Sequence, residues 1–136
     1  PLEVIRRLKD QGAFISVAHP FDPNRDVTHW QPGTLEAMLP FLDAIETFNA
    51  RCLRQAYNDQ AQAFAREHRL SEMAGSDAHS TFELGRATML LADFNNAMEL
   101  RTALQDAQWD VRLSSAAVHL FSVWAKLIKR VRKPAL

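Results

Sequence analysis

Several things are scarce in this sequence, and each scarcity excludes something. A single cysteine, Cys52, stands among 136 residues, so no disulfide can form within the chain. That usage fits a reducing compartment, and a cytoplasmic location is the expectation. Charge of one sign is missing too: sixteen Lys and Arg balance sixteen Asp and Glu, which argues against nucleic-acid binding by bulk charge. No apolar run approaches the roughly 18–20 residues that a membrane span requires, and no signal-peptide pattern opens the chain. Repeats and low-complexity stretches are absent, so the chain reads as one continuous unit. With 47% hydrophobic residues it is long enough to bury a core. It is too short for a complete (β/α)8-type barrel, which takes at least ~200 residues.

What is present reads as an α/β pattern. Leu2, Ile5 and Leu8 recur at helical spacing, and Gly12 supplies a stop. Phe14 to Ala18 is a short β-rich run ending at His19-Pro20. A long loop follows through residues 21–33, then a short helix from Leu35 to Leu39 capped by Thr34. Ala44 to Phe48 predicts a second strand, and Ala56, Tyr57, Ala61, Phe64 and Ala65 mark one face of a helix. Met73 to His79 predicts a third strand running into a polar loop, and Ala87 to Ala92 a fourth. A helix capped by Asn95 or Asn96, an extended piece over Val111 to Leu113, and a helix from about Ala116 to Val131 complete the series. Strands separated by helices favour a parallel sheet whose reactive residues gather at the carboxyl ends of the strands.

Potential metal ligands fall at those ends. His19 closes the first predicted strand, Glu46 lies in the second, and Asp77 and His79 close the third. If the extended conformation continues, a period of two puts Asp77 and His79 on one side. Imidazole nitrogen with carboxylate oxygen suits Zn, Mn or Fe.

These residues sit in a recognisable series. Val17-Ala18-His19-Pro20-Phe21, Asp43 to Arg51, Ala74-Gly75-Ser76-Asp77-Ala78-His79 and Glu83-Leu84-Gly85 resemble successive motifs of the PHP family, named for polymerase and histidinol phosphatase. The resemblance covers roughly Gly12 to Ala92. It implies part of a distorted (β/α)7 TIM-like barrel, with parallel strands and flanking helices, over residues 1–113. Residues 114–136 then form an amphipathic basic helix and tail. It also implies a metal-dependent phosphoesterase, hydrolysing a phosphoester small molecule or nucleotide with metal-activated water. Nucleic acid would enter only as a hydrolysed substrate.

On this resemblance His19, Asp77 and His79 match metal ligands, and Asp77 with His79 is the catalytic pair. Divalent Zn, Mn, Fe or Mg is the implied cofactor. Glu46 is either a further ligand or a barrel-lining residue. Arg51, Arg25 and Asn49 are candidate substrate contacts, since a guanidinium fork suits phosphate oxygens. The family's opening His-x-His has no counterpart here: no histidine precedes His19. The chain therefore reads as the C-terminal part of such a protein, weak or inactive by itself. A missing N-terminal half or self-association would supply the rest.

Blander roles stand beside these. Ser80-Thr81-Phe82-Glu83 fits a helix capping box, and Asp77 can cap a turn. His29, His68 and His119 read as structural or surface residues. A non-catalytic assembly module is the alternative, since a partial barrel leaves open strand edges. Lys126, Lys129, Arg130, Arg132 and Lys133 make the tail basic. A terminal helix docked on the barrel, with its cations near its carboxyl end, explains the tail more simply than a membrane surface does.

Overall fold

The computed structural model describes residues 2–23, 33–115 and 117–118. Over these, the chain runs α1 (Leu2–Asp10), β1 (Ser16–Val17), α2 (Thr34–Met38), β2 (Ala44–Asn49), α3 (Gln55–His68), β3 (Ser71–Gly75), β4 (Ala87–Leu90), α4 (Ala97–Ala103) and β5 (Gln108–Val111). The expected basic helix and tail fall almost wholly outside the described residues, as does most of the 21–33 loop.

Three strands form a parallel sheet in the order β1-β2-β3. Ser16 pairs with Ala44, and Ala44 in turn with Ser71. Parallel neighbours require a crossover, which α3 supplies between β2 and β3. Its face toward the sheet is built of small residues, Ala61 and Ala65, both buried. Arg69 ends the helix in a left-handed conformation, φ 55°, with its N–H on the carbonyls of Ala65 and Arg66. The core gathers Ile5 of α1, Val17 of β1, Leu35 and Met38 of α2, Ile45 of β2 and Ala65 of α3.

A buried carboxylate ties this layer together at the amino end of β2. Asp43 accepts the Ile15 N–H at 2.7 Å and pairs with Lys9 of α1 and Arg101 of α4. Burial pushes its carboxyl up, but the Lys9, Ile15 and Arg101 contacts together hold it below the usual range.

The structure corrects the sequence reading at several points. Gly33, with φ 76°, takes the N-cap of α2, and Thr34 is already helical. The third strand ends at Gly75, short of Asp77, and the last strand begins at Gln108, three residues before its expected start. The parallel series also stops at β3, because β4 and β5 pair antiparallel in a separate two-stranded sheet. The physical reason lies in the seam beside β3. Ser76 Oγ both donates to the Ala87 carbonyl and accepts the Ala87 N–H, each at 3.0 Å. The Ala74 N–H meets Met89 Sδ at 3.2 Å. These two contacts run in opposite order along the two segments, so the loop after β3 turns the chain back. Side chains fill the place where a main-chain ladder would join another parallel strand. The described residues form a parallel α/β layer with a separate antiparallel pair of strands, and a closed barrel is not among their features.

Candidate functional site

Because β1, β2 and β3 are parallel, their carboxyl ends open on one side of the sheet, and the chemistry-bearing residues collect there. His19 follows β1 and is left-handed, with φ 35°. For a residue with a Cβ such a conformation costs about 1–2 kcal/mol, so the surroundings must hold it. Two contacts do. The His19 N–H donates to Glu46 Oε2 at 2.7 Å. Two residues on, Phe21 packs edge-on against Phe64 of α3, with ring centroids 5.5 Å apart. His19 Nδ1 is buried with no hydrogen-bond partner among the described residues. A polar atom left so is costly and suits a nitrogen kept for a ligand.

Glu46 reaches this position from β2, where the pairing with β3 shifts between Glu46 and Phe48. A bulge of this kind re-aims a side chain. Ile45 points to the core, so Glu46 lies on the opposite face. Its Oε2 also accepts Asn49 Nδ2 at 3.0 Å, and its carboxylate lies against Gly75, where an added Cβ would overlap Oε1. Glu46 thus braces the backbone of His19.

Asp77 is the second left-handed residue of the site, with φ 47°, a conformation Asp tolerates better than most. The extended run has ended, so the period-two argument for Asp77 and His79 fails, yet the turn still brings them together. His79 Nδ1 lies 2.7 Å from the Asp77 carbonyl oxygen and 3.7 Å from its Oδ1. A carbonyl only accepts, so the neutral ring carries its proton on Nδ1 and keeps the Nε2 lone pair.

A second carboxylate braces this turn. Glu83 is 1% exposed, and its Oε2 accepts the His79 N–H at 3.1 Å and the Ser80 hydroxyl at 2.8 Å. Its Oε1 lies 3.1 Å from Arg51 Nε, a charge contact without hydrogen-bond alignment. Burial pushes the Glu83 carboxyl up, and the Ser80 and His79 hydrogen bonds with the Arg51 charge more than offset that, leaving it below its usual range. The expected capping box is therefore not formed. The turn at Thr81–Glu83 is a short 3-10 piece without a side-chain cap, and Glu83 reaches past it to His79.

Two expected phosphate contacts are buried beneath the site. Arg51 is 5% exposed and Asn49 1%. Asn49 Oδ1 accepts the Arg51 N–H at 2.9 Å, while the Asn49 N–H donates to Asn58 of α3 at 3.0 Å. The turn after β2 buries both, with Asn49 against Glu46 and Arg51 against Glu83. Arg25, His29 and His119 lie outside the described residues. His68 packs at a tilt against Phe64, with ring centroids 4.3 Å apart, which agrees with its structural reading. Sequence reasoning missed the Glu83 brace and the Ser76 seam. The serine-to-glutamate spacing was the one signal of the former.

The donor types here suit a divalent ion, and the orphaned His19 Nδ1 fits a ligand position. The set is nevertheless partial. Among the described residues no group of three or more His, Cys, Asp and Glu side chains is close enough to hold a metal. No helix among them is long and apolar enough to cross a membrane. A cavity of about 580 Å³ lies at the other end of β3, lined by Arg66, Arg69, Ser71, Glu72 and Trp109, away from these donors.

Comparison with known proteins adds three findings. Residues 55–108 match the family model described as PHP-associated. An uncharacterised protein of Methanocaldococcus jannaschii is 34% identical over 95 residues, covering 68% of this chain and 40% of that protein. A crystal structure of a candidate metal-dependent phosphoesterase from Bifidobacterium adolescentis shares 27% identity with a TM-score of 0.51, over 76% of this chain and 35% of the other. The chain thus spans well under half the length of either.

Proposed function

We propose, from the PHP-associated match over residues 55–108 and the structural likeness to a candidate metal-dependent phosphoesterase, that the chain is the C-terminal part of a PHP-family protein and contributes His19, Asp77 and His79 to a site that hydrolyses phosphoesters. Donors from elsewhere complete the site. The observation that carries this reading is the orphaned His19 Nδ1, at the sheet end where the Asp77 turn also presents its donor pair.

A divalent ion bound there would make water nucleophilic at neutral pH and neutralise charge developing on the phosphoryl oxygens. The chain's own residues hold the donors ready. Glu46 fixes the His19 backbone, and the Asp77 carbonyl fixes the protonated nitrogen of His79, so that Nε2 is the donor atom. The substrate class is a small phosphoester or nucleotide. A partial donor set holds an ion weakly, so the 136-residue chain alone has weak turnover.

The test is hydrolysis of a generic phosphoester by this chain, with and without added Mn²⁺ or Zn²⁺, compared with Asp77→Ala. Low, metal-dependent turnover that Asp77→Ala removes is the expected result. Robust turnover that survives Asp77→Ala overturns the assignment.

A further inference from the structure

The Asp77 turn is left-handed and half exposed at His79, yet beneath it lies a fully buried carboxylate that the turn itself does not require. A short 3-10 turn in water needs no buried anion, and burying one costs several kcal/mol unless it is paired. Glu83 is paired on both oxygens: Arg51 Nε at 3.1 Å on one, the Ser80 hydroxyl and the His79 N–H on the other. Its neighbours Phe82 and Leu84 are 79% and 69% exposed. The chain thus buries the glutamate and leaves two large apolar residues in solvent. Core formation alone would produce the reverse arrangement.

We propose that Glu83 is a positioning residue that holds the His79 backbone so that the imidazole keeps Nδ1–H on the Asp77 carbonyl and presents Nε2. Arg51 Nε lies 3.1 Å from the other Glu83 oxygen and offsets the cost of burying its charge. The Nδ1 contact joins residues two apart in the chain. It closes only while the backbone at His79 is held in the orientation that the Glu83 bond defines. The inference rests on the proposed role of His79 as a donor, and its primary measurement needs no metal.

The experiment separates reach from charge. Glu83→Asp keeps the negative charge for Arg51 but withdraws the carboxylate from His79. Glu83→Gln keeps the reach and an accepting oxygen but loses the charge. Each is made in the full 136-residue chain, urea unfolding confirms that it folds, and long-range ¹H–¹⁵N NMR reports the His79 tautomer without metal. The wild type and Glu83→Gln are expected to hold the Nδ1–H form, and Glu83→Asp to shift toward Nε2–H. A residue that only supplied the ion pair to Arg51 would give the opposite ranking, with Glu83→Gln the more disruptive change.

Unchanged His79 signals in both variants, or that opposite ranking, overturn the inference. A Mn²⁺ titration then reads the consequence. Glu83→Asp is expected to weaken binding by about 10–100-fold, as loss of a residue that orients a ligand does, with Glu83→Gln near wild type. A wild-type chain that binds no Mn²⁺ overturns the proposed function, while the tautomer result still decides the role of Glu83.

Discussion

Gly75, the last residue of β3, lies so close to Glu46 of β2 that a Cβ on residue 75 would overlap the Glu46 carboxylate. The glycine is what admits this carboxylate to the carboxyl end of the sheet, where it accepts the His19 N–H. Gly75→Ala must push the carboxylate off His19 and Asn49. Overpacking of this kind costs about 1–3 kcal/mol. In a double-mutant cycle measured by urea unfolding, Glu46→Ala should relieve much of the Gly75→Ala cost. Additive losses would mean that the two do not interact.

The Asp43 carboxylate governs acid stability at the opposite end of β2. Its folded pKa lies below its ordinary value of 3.8. Its contribution is therefore fully present above that value and is lost as pH falls through the lower folded value. Asp43→Asn should cost about 1–3 kcal/mol at neutral pH. The cost stays below that of a fully buried pair because Lys9 and Arg101 are partly solvated. It should also flatten the acid limb of a stability profile measured from pH 2 to 7. A variant whose acid limb matches the wild type would remove Asp43 from this role.

Arg51 and Glu83 are 5% and 1% exposed along their side chains. Arg51→Met strands a buried anion and is expected to cost about 3–5 kcal/mol. Adding Glu83→Met should recover part of that loss in thermal or urea unfolding. A double variant less stable than Arg51→Met alone would contradict the pairing.

Ser76→Ala removes both contacts to Ala87 at the β3–β4 seam. The loss should be about 1–3 kcal/mol, since the Ala87 N–H is left without its acceptor. Native-state hydrogen exchange at that amide should accelerate. An unchanged exchange rate would show that the hydroxyl is not what joins β4 to the parallel sheet.

Much of this arrangement was legible in the sequence, for reasons that differ by residue. His19, Asp77 and His79 stand out because a β-rich run followed by proline or a polar turn marks a strand end, and their motif spacing is distinctive. β2 and α3 were legible because their hydrophobic periods are unmixed. The Asp77 turn was not legible, since alternation along Met73–His79 looks the same whether or not the strand continues. The separate antiparallel pair β4–β5 was also hidden, because its link to β3 is a serine side chain in place of a main-chain ladder. Arg51 and Glu83 carry no local signal of each other. Their pairing follows only once β2 and the loop after β3 end on the same side.

The proposed site has His19 and His79 serve one ion from the carboxyl ends of β1 and β3. Paramagnetic broadening tests it most directly: substoichiometric Mn²⁺ is added to the chain while the ring signals of His19, His79 and His68 are followed by NMR. His19 and His79 are expected to broaden together, and His68, packed at a tilt against Phe64, far less. Broadening of neither, of only one, or of His68 as strongly as the other two would contradict it.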